Sequence, residues 1–323
     1  MIKIAVVTGC ASFLGTAFTT KLLENGWYVY GIDKLTYVAN DNIVKEFENR
    51  YSKFKLIIED ICNIKWLPEC DVIFNFAAES DVDNGNKNCK NFIHSNIDGV
   101  RNLLEIVNSR IVTKANKPLF FQISTDEVYG DLVRGTFDEN SNLNPSNPYA
   151  ATKASADLLI KTWARTHGLE YIIARPSNNF GPNQYPEKLI PLAVKQLSRG
   201  NKIKLHNQGK PIRTWTHSED TADALLILFE RAERNKVYNI SSEYEQSNFD
   251  TVRKIINSYF LGTIKREIPD IEKHIDFSHN RPGQDVRYAI SCNPLRTLQW
   301  RPHKVFDSEI TKLVENYKKG FIW

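Results

Sequence analysis

Six short apolar runs constrain this chain most: Ile2 to Thr8, Tyr28 to Ile32, Phe54 to Glu59, Val72 to Phe76, Leu119 to Ile123 and Tyr171 to Ala174. Runs this short, with little polar alternation, read as strands buried on both faces. The spacers between them leave room for crossovers, which parallel strands need. The pattern predicts an α/β fold, a doubly wound parallel sheet. Helices are predicted at Phe18 to Leu23, Phe92 to Val107 and Tyr149 to Thr166. After Ala174 the strict alternation fades. Helices follow at Glu187 to Leu197, Ser218 to Arg231 with Ser218 as N-cap, Ser247 to Tyr259 and Phe306 to Tyr317. Short strands are expected at Lys202 to Leu205 and Arg213 to Thr216, and Val237 to Ile240 as a late return to the sheet.

The first strand ends at Gly9, Gly15 follows, and the second strand ends in Asp33. A glycine turn opening a helix offers free amides to a pyrophosphate, and an acid ending the next strand suits a pair of ribose hydroxyls. The unit is therefore Rossmann-like, and Asp33 would repel a 2′-phosphate, so NAD is expected rather than NADP. Asp60 and Ile61, after the third strand, are expected at the adenine. The small Ala77 and Ala78, after the fourth, let the chain pass close to a flat cofactor. The division expected is 1–176 for the NAD-binding domain, with about 206–242 returning to it, and 177–323 mainly for a smaller, intergrown substrate domain.

The fifth strand runs into Ser124-Thr125-Asp126-Glu127-Val128-Tyr129-Gly130, and about two dozen residues later comes Tyr149-Ala150-Ala151-Thr152-Lys153. A hydroxyl and two carboxylates thus lie at a strand's carboxyl end, where open α/β sheets bind ligands. Tyr149 and Lys153 are four apart at a helix start and face the same way. A phenol beside an ammonium is expected to be a base of lowered pKa. Read purely structurally, Asp126 and Glu127 would be an exposed acidic pair capping a helix; Tyr149 and Lys153 weigh against that.

Other classes find little support. A net charge of +4 with no Lys/Arg block argues against nucleic acid. Cys10, Cys62, Cys70, Cys89 and Cys292 are odd in number and lack CxxC spacing, which points to a reducing compartment without a disulfide framework or zinc site. The seven histidines form no ligand pair, so no metal is expected. Asn239-Ile240-Ser241 fits a glycosylation sequon, which is read as chance without a signal peptide. No apolar run is long enough to span a bilayer. A soluble, cytoplasmic protein is expected.

Taken together, these stretches resemble the extended short-chain dehydrogenase/reductases, and within them the nucleotide-sugar 4,6-dehydratases of the dTDP-glucose 4,6-dehydratase type. The resemblance runs nearly end to end. It rests on TGCASFLG (Thr8 to Gly15), DKLTY (Asp33 to Tyr37), FAAESDVD (Phe76 to Asp83), STDEVYG (Ser124 to Gly130), NPYAATKA (Asn147 to Ala154), SNNFGPNQYPEKLIP (Ser177 to Pro191) and NRPGQDVRY (Asn280 to Tyr288). The TDE of the fifth-strand motif separates dehydratases from 4-epimerases, which usually carry small or hydroxyl residues there. Ser12 stands where a third glycine is usual, Asp81 where histidine is common, Asn84-Gly85 where an Arg-Ser pair is frequent, and Ser241-Ser242 where glycines usually follow.

The resemblance implies NAD contacts from Ser12, Phe13 and Leu14 in the first motif. It implies others from Lys34, Leu35 and Thr36 after Asp33, from Phe76 and Ser80 around the alanines, and from Asn96, Tyr149 and Lys153. Tyr149 would take the proton of the sugar 4-hydroxyl as hydride leaves C4, with Lys153 on the nicotinamide ribose and Thr125 on the same sugar oxygen. Glu127 would take the C5 hydrogen and a protonated Asp126 would serve the departing C6 hydroxyl. Lys188, Arg213 and Arg287 are expected at the diphosphate, Asn178 at the sugar or its phosphate, and Leu189 and Asp81 near the substrate. A nucleotide-sugar substrate and a homodimer through the helices near Phe92 to Val107 and Tyr149 to Thr166 are implied. The uracil or thymine base, the glucose or N-acetylglucosamine sugar, and epimerisation at C5 stay open. So do two rivals, a nucleotide-sugar 4-epimerase and a non-catalytic NAD(H)-sensing protein.

Overall fold

The strands, in chain order, are β1 (Ile4–Thr8), β2 (Tyr28–Asp33), β3 (Phe54–Ile58), β4 (Val72–Asn75), β5 (Leu119–Ile123), β6 (Tyr171–Pro176), β7 (Asn178–Phe180), β8 (Ile203–Lys204), β9 (Ile212–His217), β10 (Lys236–Ile240), β11 (Glu245–Ser247) and β12 (Ile275–Asp276). The helices are α1 (Phe13–Glu24), α2 (Asp41–Arg50), α3 (Val82–Lys87), α4 (Lys90–Ile93), α5 (Gly99–Val112), α6 (Pro148–His167), α7 (Leu189–Ser198), α8 (Ser218–Arg231), α9 (Asn248–Leu261), α10 (Asn293–Thr297) and α11 (Phe306–Lys319). The computed structural model describes residues 2–112, 117–280 and 285–321. Arg281 to Gln284 of the NRPGQDVRY motif lie outside them.

Among the described residues the main sheet has the order β10-β6-β5-β4-β1-β2-β3, every pair parallel. Chain direction across the sheet reverses between β1 and β4, which opens a crevice at their carboxyl ends. The apolar runs arise because both faces are covered. Ala5, Val7, Phe74 and Phe121 pack with Phe18 and Leu22 of α1 and Leu225 and Leu228 of α8. Their chain neighbours Val6, Ile73 and Phe120 point the other way, onto Val100, Leu103, Leu104 and Val107 of α5 and Ile160 of α6. A third core joins Phe180 and Trp215 to α7, α9 and α11. Antiparallel β11 and parallel β7 flank β9 in a small second sheet.

Several local expectations shift. The helix predicted from Phe92 is broken: a π-turn at His94–Asp98 separates α4 from α5. The N-cap of α8 is His217, whose Nδ1 accepts from the Glu219 amide at 3.3 Å, while Ser218 begins the helix itself. Asp126–Tyr129 forms a single 3₁₀ turn with Thr125 as its cap. Ser12 occupies the usual glycine position because it caps α1, its Oγ accepting from Gly15 N at 3.2 Å. Ser242 likewise closes its loop, donating from Oγ to the Trp215 carbonyl at 2.7 Å.

Candidate active site

The crevice begins in the turn after β1. Gly9 has φ +67°, and a Cβ there would lie 2.7 Å from Ala77 N; one on Gly15 would lie 2.0 Å from the Gly9 carbonyl oxygen. Only glycines let this turn press against the β4 end and enter α1 so tightly. Asp33 closes the same floor: Oδ2 accepts from Ala11 N at 3.0 Å and Oδ1 from Leu35 N at 2.9 Å. Each oxygen keeps a further lone pair. Burial pushes the Asp33 carboxyl up. Gly9, Ser12, Asp33, Lys34, Thr36, Asp60, Ile61, Ala77 and Ala78 line this arm of the crevice. A second arm shares Ser12 and Ala78 and continues past Phe13, Leu14 and Ser80 to Thr125, Asp126, Glu127, Tyr149 and Lys153. A groove with open helix-start amides at its bend, a fixed carboxylate at one end and a Tyr–Lys pair at the other fits an extended dinucleotide.

Not every expected cofactor residue lines the crevice. Leu35 packs against the core, and buried Phe76 lies 5.5 Å from Phe18, ring to ring. Gly15 acts through the turn. Asn96, carried by the π-turn, spends its amide on protein: it accepts from Glu79 N at 2.9 Å and donates to the Glu79 carbonyl at 3.0 Å and Thr152 Oγ1 at 2.9 Å. It braces the β4 loop against α6.

At the Tyr–Lys end α6 starts with Asn147 as N-cap and Pro148 in its first turn, and Tyr149 and Lys153 line the crevice. Lys153 Nζ donates to the Ile123 carbonyl at 2.6 Å. Burial pulls its pKa down to about 8, against the pull of Asp157. The expected lowering of Tyr149 is not found. Desolvation, then the Glu127 charge, push the phenol up, and only the Thr125 hydroxyl among its hydrogen-bonding neighbours works the other way.

Asp126 is 3 % exposed. Burial, followed by the Glu127 charge, pushes its carboxyl up to about 8, with Arg213 opposing. Its Oδ2 has no partner among the described residues, and Oδ1 accepts from Thr125 Oγ1 at 3.3 Å. Glu127 Oε2 accepts from Asn147 Nδ2 at 3.0 Å and Tyr288 Oη at 3.3 Å. The two carboxyl groups thus stand at one wall of the crevice, Asp126 with an unpartnered oxygen and Glu127 with two side-chain donors. Behind them Ser124 and Arg175 both donate to Asp157 Oδ2, at 3.1 Å and at 2.9 to 3.0 Å.

Placement of the expected substrate residues varies. Asn178 and Lys188 line the second arm. Asn178 Oδ1 is buried and unpartnered among the described residues. Lys188 Nζ reaches across the crevice mouth to the Ser80 carbonyl at 2.9 Å and lies 3.4 Å from Glu187. Leu189 opens α7 and packs on the third core instead. Asp81 caps α3, accepting from Asn84 N at 2.7 Å. Arg213 stacks on Tyr288 at 4.4 Å and donates to the Asp285 carbonyl at 3.1 Å, and it does not line the crevice. Arg287 is forked onto Glu245 at 2.8 and 2.9 Å and also donates to the Gly135 carbonyl. Both guanidinium groups serve protein partners: Arg213 stands within β9, and the segment bearing Arg287 bridges to Ile212 of the same strand.

Sequence reading missed Asn147, Asp157, Arg175, Tyr185, Asp285 and Tyr288 at the site. Asn147, the cap two residues before Tyr149, and Asp157, four residues after Lys153 on the same helix, had local signals; the rest are joined by distant contacts. It also expected no ligand cluster, whereas Asp60, Cys62 and His94 offer ligand atoms within 4.8 Å of one another. Those groups are otherwise engaged: the Asp60 carboxylate meets Lys34 and the Cys62 amide, and burial first, then Asp60, push the thiol up to about 12.

Comparison with known proteins places this geometry. The family model for GDP-mannose 4,6-dehydratase matches residues 6–313. The low-salt glycan biosynthesis protein Agl12 of Haloferax volcanii is 36% identical over 321 residues, covering 97% of each chain. A dTDP-glucose 4,6-dehydratase of Escherichia coli is 35% identical, covering 98% of this chain and 94% of its own. The crystal structure of dTDP-glucose 4,6-dehydratase from Bacillus anthracis in complex with NAD superposes with a TM-score of 0.84 at 32% identity, covering 98% of this chain and 97% of its own. With the TDE turn, the Tyr–Lys pair and the β1–α1 cradle in one crevice, the chain belongs to the GDP-mannose 4,6-dehydratase family, as a nucleotide-sugar 4,6-dehydratase of the extended short-chain dehydrogenase/reductase type.

Proposed function

We propose that this chain converts an NDP-hexose to its 4-keto-6-deoxy sugar with NAD as a catalytic cofactor, and that dTDP-glucose is the first substrate to test. Relatives named for that substrate, and a solved neighbour holding NAD, support the reading. The observation that carries it is Asp126: a buried carboxyl, lifted to about 8, with one oxygen unpartnered beside Tyr149 and Glu127. A neutral acid there can protonate a departing hydroxyl. A 4-epimerase moves hydrogen only at C4 and has no use for one.

Bound NAD supplies the acceptor and donor of hydride, so hydrogen leaving C4 returns at C6. The protein's own groups handle protons. Tyr149 takes the 4-hydroxyl proton, with Thr125 on the same oxygen and Lys153 providing positive charge. The 4-keto group acidifies C5, and Glu127, held by Asn147 and Tyr288, takes that proton. Asp126 protonates the leaving 6-hydroxyl. Residues 1–176, with the returning β10, would serve the cofactor and 177–323 mainly the nucleotide sugar. Ile93 and Leu158 stay exposed at 44% and 55% on α4 and α6, which supports a homodimer covering these helices. Five free cysteines support a cytoplasmic setting. Incubation of NAD-loaded protein with dTDP-glucose, UDP-glucose and UDP-N-acetylglucosamine, read by mass spectrometry, tests the proposal. Loss of one water from any of them is the expected result. Unchanged mass with inverted C4 would move the chain to the epimerases.

A further inference from the structure

Glu127 is connected to the surface by a second route that does not pass through the crevice. Its Oε2 lies 3.3 Å from Tyr288 Oη. Tyr288 Oη also makes a short contact with Asp285 Oδ2. Asp285 Oδ2 in turn accepts from Ser146 Oγ at 2.5 Å. Tyr288 and Asp285 are each 4% exposed, whereas Ser146 is exposed. The line therefore runs from the crevice wall, through two buried groups, to solvent. It is held rigidly: Arg213 stacks on the Tyr288 ring and donates to the Asp285 carbonyl, and Thr214 Oγ1 donates to the Tyr288 carbonyl at 3.2 Å.

The chemistry of this arrangement is unusual for a purely structural contact. A phenol has one proton, and Tyr288 faces two carboxyl groups. With both carboxyls charged, only one of the two contacts can be a hydrogen bond. Both are satisfied when one carboxyl carries a proton and gives it to the phenol oxygen while the phenol gives its own to the other. That is the state reached when Glu127 has just taken a proton from a substrate.

We propose that Tyr288, Asp285 and Ser146 form a proton relay that exchanges the proton on Glu127 with solvent. This rests on the reading of Glu127 as the C5 base. The step balances. Protonated Glu127 passes its proton to Tyr288 Oη as the phenol's own proton moves to Asp285 Oδ2, with no free phenolate. Asp285 then hands a proton to Ser146 Oγ as the hydroxyl's proton leaves to water. The reverse passage brings a solvent proton back to Glu127, which delivers it to C5. Tyr288, Asp285 and Ser146 are positioning residues that act through Glu127.

The test follows hydrogen at C5, which a merely structural role would not move. NAD-loaded protein converts substrate carrying protium at C5 in D₂O, in a single turnover, and the product is analysed by NMR. Wild type is expected to give deuterium at C5. Tyr288→Phe keeps the ring on Arg213 and removes the link. Its product should retain protium at C5 in most molecules, because the proton on Glu127 returns before it can exchange. Ser146→Ala, at the exposed end, should shift the isotope ratio the same way and guards against misfolding of the buried variant, as does an NAD titration of each protein. Wild-type deuterium content from both folded variants, or from Ser146→Ala alone if Tyr288→Phe does not fold, would overturn the relay while leaving the dehydratase reading intact. Protium retained by wild type itself would also overturn it. A wild type that makes no dehydrated sugar would remove the reading and the relay together.

Discussion

At the residue scale, the neighbouring carboxyl groups of Asp126 and Glu127 have different surroundings. Asp126 is buried and lifted to about 8, so it is neutral below that pH and charged above it. Lys153, lowered to about 8, is charged below and neutral above. Both changes remove the useful form as pH rises. The dehydration step should therefore fall above about pH 8, by about tenfold per further unit for each of the two groups. A pH–rate profile of single turnovers checks this, and Asp126→Asn should be slow and keep only the shallower limb that Lys153 gives. Replacing Glu127 by Gln should cost about 10² to 10⁴ in dehydration rate. That variant should still oxidise C4, seen as persistent reduced-nicotinamide absorbance on the protein; full wild-type rate would remove Glu127 from the role. The sequence made Thr125, Asp126, Glu127, Tyr149 and Lys153 legible because each sits at a strand end or on one helix turn. It misjudged the acidity of Tyr149, since burial and the Glu127 charge, which push the phenol up, are set by packing.

At the element scale, the β1–α1 turn has no slack. A Cβ at Gly15 would stand 2.0 Å from the Gly9 carbonyl oxygen, a backbone atom with nowhere to move. Gly15→Ala should lose about 1 to 3 kcal/mol of stability and weaken NAD binding, measured by urea unfolding and by cofactor titration. The strands of the main sheet were legible because burial on both faces writes itself as continuous apolar residues. Helix α2 was not, since it buries only Val44 and Phe47. The six-residue α3 has one buried residue, Gly85, and carries no periodicity to read. The π-turn at His94–Asp98 also escaped: it carries Asn96, whose partners Glu79 and Thr152 are distant in sequence, and composition does not reveal it.

For the whole molecule, the crevice and its backing draw on both ends of the chain: Gly9 and Asp33 line it, while Tyr288 and Asp285 stand behind Glu127. Sequence alone could place the first group through local geometry, but the second reaches the site through long-range packing. Exposed Ile93 and Leu158 on α4 and α6 lead to a solution test. Light scattering at micromolar concentration should report a dimer, and Leu158→Glu should shift it toward monomer. A monomeric wild type would discard the assembly.

The polar groups under the crevice have a consequence of their own. Thr8 Oγ1 donates to Asn75 Oδ1 at 2.5 Å, and Asn75 Nδ2 donates to Gln122 Oε1 at 2.8 Å. The three residues are cross-strand partners on adjacent strands. A slip of one residue would turn any of them to the opposite face and break the chain of bonds inside a dry core. The ladder therefore works as a levelling bar: it fixes how far β1, β4 and β5 extend relative to one another. Loops above it can lengthen, shorten or change chemistry without tilting the platform on which the two arms of the crevice meet.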